Sequence, residues 1–468
     1  MHYKNRLMFY CHSLLLTILL GAAATLTAQE EPLTTSYKNG IIQKTSKELI
    51  DRYVFPDIAQ QIAADITQKN KAGYFDPFTK LEGFIDALND RIYQISKDKH
   101  ISLTIKEGMA TTATEEAAWY APKLEERTFF RRYNANFKSV EKLEDNIAYL
   151  DLRGFYGLDY GRNYADYAMA QMRNADAIII DLRKNSGGRG DMVEYLLSYF
   201  FEEPIVTGRS RKRSGDRFVD RTHTSAVRLT GKTLMDVPVF ILTSSITFSA
   251  AESFCYPMQA YGRATIIGEV TKGGANAGDL ISIDEQLNIF IPDVAALPHP
   301  KTNTMWEGVG IIPDIKVDSS MALETAMEHA KAAAAAYKQK MDEAAKAAIL
   351  ELNEIVSNYD GTNDQTIIDA YLKYRDQDVI FEEWELNALA YQCLSNDQLP
   401  LALALFKTNT ALYPHSAKAF QNYAEALANQ GNTKAAITNY EQALALAEAY
   451  QQERLIEGIQ KRLNELKE

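Results

Sequence analysis

The sequence predicts a mixed α/β core, preceded by a small helical subdomain and followed by an all-helical repeat region. Three observations predict it. Between residues 147 and 267, short β-rich apolar runs alternate with runs at helical spacing. Before residue 97, apolar residues recur at i, i+3, i+4. From Leu386 to Leu446 the chain repeats itself with a period of 34 residues.

The elements follow in order. Lys4 and Arg6, the apolar run Leu14 to Leu20 and the small residues Ala22 to Ala28 make residues 1–28 a candidate signal peptide. That run falls short of the roughly 20 apolar residues a membrane span needs, so no span is expected after signal removal. The protein is then exported, to a periplasm or the extracellular space. Cleavage removes two basic and no acidic residues, taking the formal charge from -12 to -14. So acidic a chain, with no basic cluster, is a poor partner for nucleic acid. Cys255 and Cys393 would remain, in different expected domains, so no disulfide framework is expected.

Residues 29–40 read as polar and unstructured, and Ser46 to Tyr53 as a short helix. Pro56 starts a second helix, with Ile58, Ile62 and Ile66 on one face. Leu81, Phe84, Leu88, Ile92 and Ile95 mark a third. Residues 36–97 therefore form an N-terminal helical subdomain. Asp98-Lys-His-Ile-Ser-Leu leads into a strand, and residues 107–128 read as irregular. Ile147 to Leu152 is a strand, and Tyr164, Tyr167, Ala168 and Met172 form a helix face. Ala177 to Leu182 is a strand, and Gly190 to Phe201 a helix. Val237 to Leu242 is a buried strand that turns into a helix near Ser249, and Ala264 to Ile267 is the next strand. That alternation argues a mostly parallel sheet in an α/β domain, residues 98–320. Residues 203–235 are basic-polar loop and strand, and 280–292 alternate as an antiparallel pair would. The Ala-rich run 322–356 has strong helix propensity and falls in a helical linker, 321–383. Over 384–468, Ala390 recurs as Ala424, Ala402 as Ala436 and Phe406 as Tyr440, before a last helix from Gln451.

Ser249 sits where a buried strand becomes a helix. The free amides and partial positive charge of a helix N-terminus suit a developing anion. A serine hydroxyl also needs a base, itself positioned by a third group. With the signal and the helical tail set aside, His100, His223 and His299 remain, and only His100 stands at an element junction.

Several blocks carry a resemblance. Thr247-Phe-Ser-Ala-Ala-Glu, Gly268-Glu-Val-Thr, Ala177-Ile-Ile-Ile-Asp-Leu-Arg-Lys-Asn-Ser-Gly-Gly and Trp306-Glu-Gly-Val-Gly-Ile-Ile-Pro-Asp resemble signatures of the C-terminal processing and tricorn-type serine peptidases. They span most of residues 40–320 in the family's order. The C-terminal repeat resembles tetratricopeptide repeats. The resemblance implies a crotonase- or Clp-protease-like ββα core with Ser249 as nucleophile. Asp98-Lys-His is similar to the base-bearing element of the tricorn-like and interphotoreceptor retinoid-binding-like branch, which makes His100 the base. Glu307 would be the orienting acid, acting through Ser102 or water. The oxyanion amides would be Gly187 or Gly188 together with Ala250. In the serine–lysine branch a lysine ends Gly-Glu-x-Thr-x-Gly-Lys. Gly274 stands there in this chain, with Lys272 two residues earlier as the alternative base.

The expected function is an exported serine peptidase acting on a peptide or unfolded protein, without cofactor or metal. The repeats would bind a protein partner, and a homo-oligomer is left open. Two alternatives stand beside it. One is a non-proteolytic module of the same fold that binds apolar ligands or peptides. The other is a degenerate domain whose repeats serve as a scaffold.

Overall fold

The computed structural model describes residues 33–106, 130–226, 234–376 and 382–468, with 124, 127, 128 and 379 besides. The expected signal peptide and most of 107–128 lie outside the described residues.

The chain begins with α1 (Thr35–Arg52), α2 (Pro56–Lys71) and α3 (Leu81–Ser96). α1 starts well before the expected Ser46. Ile41, Ile42, Thr45 and Leu49 form its buried face. Lys38 is buried as well, its ammonium donating to the carbonyls of Phe75 at 2.8 Å and Phe78 at 3.1 Å. That pairing lies between elements, so a local reading of polarity misses it. The strands follow as β1 (Ser102–Ile105), β2 (Phe137–Lys142), β3 (Ile147–Leu152), β4 (Ala177–Asp181), β5 (Val206–Ser214) and β6 (Arg217–Thr224). Then come β7 (Val239–Thr243), β8 (Thr265–Gly268), β9 (Ala277–Ser282), β10 (Leu287–Leu297) and β11 (Ile315–Lys316).

One sheet runs β11-β8-β7-β4-β3-β2, parallel throughout except for β2 against β3. Helices α4 (Leu158–Met172), α5 (Gly190–Leu197) and α6 (Ala250–Ala260) pack on one face of it, against Ile178, Ile180, Ile241 and Ile266. Tyr167, expected on the packed face of α4, is 68% exposed. The alternate residues Ala177, Ile179, Phe240, Leu242 and Ile267 face the other way. They meet Ala322, Ala326, Ala330 and Ala334 of α7 (Ala322–Ser357). Strands covered on both faces read as unbroken apolar runs, which is why β4 and β7 were plain in the sequence. The first half of the expected linker is therefore a layer of this core.

The second sheet is antiparallel, in the order β1-β10-β5-β6, with β9 also on β10. Ile101, Leu103, Ile289, Ile291 and Ala295 pack against α1 to α3 and make a separate core.

Beyond α7 come α8 (Asp364–Asp376), α9 (Glu383–Ser395), α10 (Leu399–Leu412), α11 (Ala417–Asn429), α12 (Thr433–Ala449) and α13 (Glu453–Lys467). Ala348 and Leu352, late in α7, pack with Ile367, Leu386 and Phe406. The recurring pairs Ala390/Ala424, Ala402/Ala436 and Phe406/Tyr440 are all fully buried. No helix of the described residues is long and apolar enough to cross a membrane.

Candidate active site

The turn after β7 is pinned from below. Ser244 Oγ donates to the Arg183 carbonyl at 2.6 Å, Thr247 Oγ1 to that of Leu182 at 2.8 Å, and the Phe248 amide to that of Asn185 at 3.2 Å. Asp181 and Arg183 brace the neighbouring strand end at 2.6 Å. Burial alone would push the Asp181 carboxyl up, but the guanidinium and the Tyr149 hydroxyl outweigh it and hold it down. Ser249 then takes φ 54° and ψ −118° just before α6. For a residue with a Cβ, such a conformation costs roughly 1–3 kcal/mol and persists only where the surroundings impose it.

Glu252 supplies that constraint. It is fully buried. Its Oε2 accepts from the amides of Ser249 at 2.9 Å and Gly274 at 2.8 Å. Its Oε1 accepts from the Gly273 amide at 2.7 Å and from Thr271 Oγ1. One carboxylate thus ties the nucleophile's backbone to the 271–274 loop. Burial raises its carboxyl, and the four hydrogen bonds recover only part of that.

His100 enters from the other core, between α3 and β1. Its Nε2 lies 3.1 Å from Ser249 Oγ. The ring is packed 4.3 Å from Phe248 and 5.7 Å from Phe290, centroid to centroid. Burial pushes its pKa down to about 4, with the Lys272 ammonium adding to that and Asp98 opposing it. The other ring nitrogen, Nδ1, is buried and has no hydrogen-bond partner among the described residues. The carboxylate facing it is Asp98, with Oδ1 3.8 Å away. Asp98 is 2% exposed and firmly held. Its Oδ1 accepts from the His100 amide at 2.9 Å, and its Oδ2 from Tyr53 Oη at 3.2 Å and Asn276 Nδ2 at 3.0 Å.

Glu307 is not brought to the imidazole. Its Oε2 accepts from the amides of Ala275 and Asn276. The reason is how its loop folds back. The Gly308 amide donates to the Gly273 carbonyl at 3.2 Å, and Trp306 Nε1 to that of Gly274 at 3.1 Å. The carboxylate therefore caps the neighbouring loop. Ser102 does not bridge the two either, because its hydroxyl faces the His100 carbonyl.

Lys272 points its ammonium over the Phe248 ring, 4.6 Å from the centroid. Among the described residues it makes no hydrogen bond to Ser249. At Gly274, a Cβ would lie 2.5 Å from His100 Cε1 and closer still to Phe248. A lysine at that position and the imidazole of His100 would claim the same space.

Gly187 lies against the serine, with φ +111° and a notional Cβ 2.8 Å from Ser249 Cβ. Its amide, however, already donates to Asn185 Oδ1 at 2.9 Å. That withdraws Gly187 from the expected oxyanion donors. The amides of Gly188 and Ala250 have no acceptor among the described residues.

Comparison with known proteins gives the domain a family. Residues 146–317 match the model of peptidase family S41. The chain carries an S41 peptidase domain. The matched stretch holds Ser249, Lys272 and Glu307, while His100 lies ahead of it. The chain is 28% identical over 144 residues to a carboxy-terminal-processing protease of Bartonella bacilliformis, which covers 31% of each protein. It is 27% identical over 178 residues to a carboxyl-terminal-processing protease of Picosynechococcus sp., or 38% of this chain and 40% of that one. The chain thus matches well under half the length of these relatives. Among solved structures, the photosystem II D1 C-terminal processing protease is similar at 11% identity and a TM-score of 0.36, over 62% of this chain and 95% of that one.

Proposed function

We propose that the protein is a serine peptidase in which Ser249 is the nucleophile and His100 the base. The observation that carries this is the 3.1 Å approach of His100 Nε2 to Ser249 Oγ, across 149 residues of sequence. It occurs at the N-terminus of α6 and at a residue whose backbone is held in a costly conformation.

Ser249 Oγ attacks a peptide carbonyl and its proton passes to His100 Nε2. The oxyanion forms against the Gly188 and Ala250 amides. His100 returns the proton to the leaving amine, and a water molecule repeats the cycle on the acyl-enzyme. Asp98 is the positioning residue. A slight closure of its 3.8 Å gap to Nδ1 would fix the tautomer and steady the imidazolium. Glu307 acts at one remove, by holding the loop that carries Asn276. The substrate is a peptide or unfolded tail, met after export. The C-terminal helices, read as tetratricopeptide-like repeats, bind a protein partner.

The test is intact-protein mass spectrometry after exposure to a fluorophosphonate. Labelling at Ser249 is expected, with none in Ser249→Ala and at least a hundredfold slower labelling in His100→Ala. Undiminished labelling of His100→Ala would return the role of base to Lys272. No labelling of the folded wild type would favour the ligand-binding module.

A further inference from the structure

A cleft lined by Ser253, one helical turn beyond Ser249, is left unused by this scheme. We propose that it receives the side chain of the substrate residue whose carbonyl Ser249 attacks, and that it selects a bulky apolar or aromatic residue over a small or charged one. The assignment rests on the reading of Ser249 as nucleophile.

Strand alternation builds one wall. Ser210 pairs with Ala296 on one side and Arg221 on the other, and Lys212 with Val294. These residues share the face of the second sheet turned away from α1 to α3. Val193 and Glu194 of α5 and Ser253 of α6 form the opposite wall. The cavity between them holds about 340 Å³, room for an aromatic side chain. Two of its lining residues adjoin the site. Ser253 stands one helical turn after Ser249. Ala275 follows Gly274, which lies against the His100 ring.

The near walls are apolar, and Ala275, Ala277 and Ala296 keep them open. Trp306, buried and tilted against Tyr256 with 4.9 Å between ring centroids, closes one side. The far end is polar and carries both signs of charge. Ser210 Oγ meets His223 Nε2 at 2.7 Å, and His223 Nδ1 stands 3.8 Å from Glu194. Lys212 pairs with Asp293 at 3.0 Å, and Arg221 lines the same end. An ammonium group brought there meets Arg221 and Lys212, and a carboxylate meets Glu194. The ammonium finds Glu194 already beside His223, and a carboxylate that reaches Arg221 is set against Glu194 as well, so each recovers only part of the solvation it gives up. An apolar body gains from the near walls in either case, and differences of side-chain size in such a pocket discriminate by about ten- to a few hundredfold.

Aminoalkyl diphenyl phosphonates test this without a known substrate. Ser249 Oγ bonds to phosphorus, phenoxide leaves, and the hydroxyl proton passes to His100. Labelling rates would be measured for reagents bearing glycine, phenylalanine, leucine, glutamate and lysine side chains. A fluorophosphonate without such a side chain serves as reference. The phenylalanine and leucine reagents are expected to react at least tenfold faster than the other three. In Ala296→Trp, which fills the cleft, the phenylalanine-to-glycine ratio is expected to fall towards one. Ala296→Leu gives an intermediate ratio and stands in if the tryptophan variant does not fold. Equal rates across side chains, faster reaction of a charged reagent, or an unchanged ratio in the folded variants would overturn the assignment. Failure of the fluorophosphonate itself to label Ser249 removes the nucleophile, and the pocket with it. Labelling without preference removes the pocket alone.

Discussion

Held against Phe248 and Phe290, His100 protonates near pH 4 rather than 6.5, because burial disfavours the imidazolium more than the charge of Asp98 favours it. A base must be neutral to accept a proton. The acidic limb of kcat/KM is therefore expected near pH 4, and a limb near 6.5 would contradict the buried geometry. The unfolded chain takes up this proton first as pH falls. The contribution of the neutral ring to stability is thus complete above 6.5 and lost as pH falls through about 4, a difference on the order of 3 kcal/mol measurable by denaturant titration. Asp98→Asn should lower kcat by roughly two to four orders of magnitude and move the acidic limb lower still, since the charge favouring imidazolium is gone. Glu307→Gln keeps an acceptor for the Ala275 and Asn276 amides and should cost about tenfold or less. The reverse ranking of the two variants would restore Glu307 as the orienting acid. Ser249 and His100, whose side chains meet, could be singled out as candidates because each stands at a junction that local spacing reveals. Asp98 was visible in the same motif, but its role was not. That depends on Tyr53 and Asn276, 45 and 178 residues away.

The elements around the site leave little slack. Gly274→Ala would drive a methyl into the His100 and Phe248 rings. Since displacements of about 1 Å can cost a hundredfold, fluorophosphonate labelling should fall at least that much, to the level of His100→Ala. Labelling at the wild-type rate would mean that the loop gives way more easily than its three bonds to Glu252 imply. Elements buried on both faces, β4 and β7 above all, could be read from composition alone. The start of α1 could not, because Lys38 looks like a solvent residue until the carbonyls that receive it are in place. The limit of the α/β unit was misplaced for a related reason. An Ala-rich helix has the same local signature whether it crosses solvent or lies on a sheet.

Across the whole molecule, α7 joins two cores. Its 36 residues span about 54 Å, the first half lying on the central sheet and the second among the C-terminal helices. A chain ending at residue 340 should therefore keep the sheet covered and label at Ser249 as the full protein does. A chain ending at 320 uncovers Ile147, Ile179, Phe240, Leu242 and Ile267 and should lose on the order of 5 kcal/mol or more, seen as aggregation or a much lower Tm. Equal behaviour of the two truncations would show that the α7 layer contributes nothing to the core.

Ser249 precedes Ala250 of the core on the parallel sheet, and His100 precedes Ile101 of the core around α1 to α3 and β10. Their 3.1 Å approach thus works as a vernier between two separately packed clusters. A slip of about 1 Å along that seam would silence the proposed hydrolysis with every buried side chain still in place. A partner gripping both clusters at once would hold the two side chains in register.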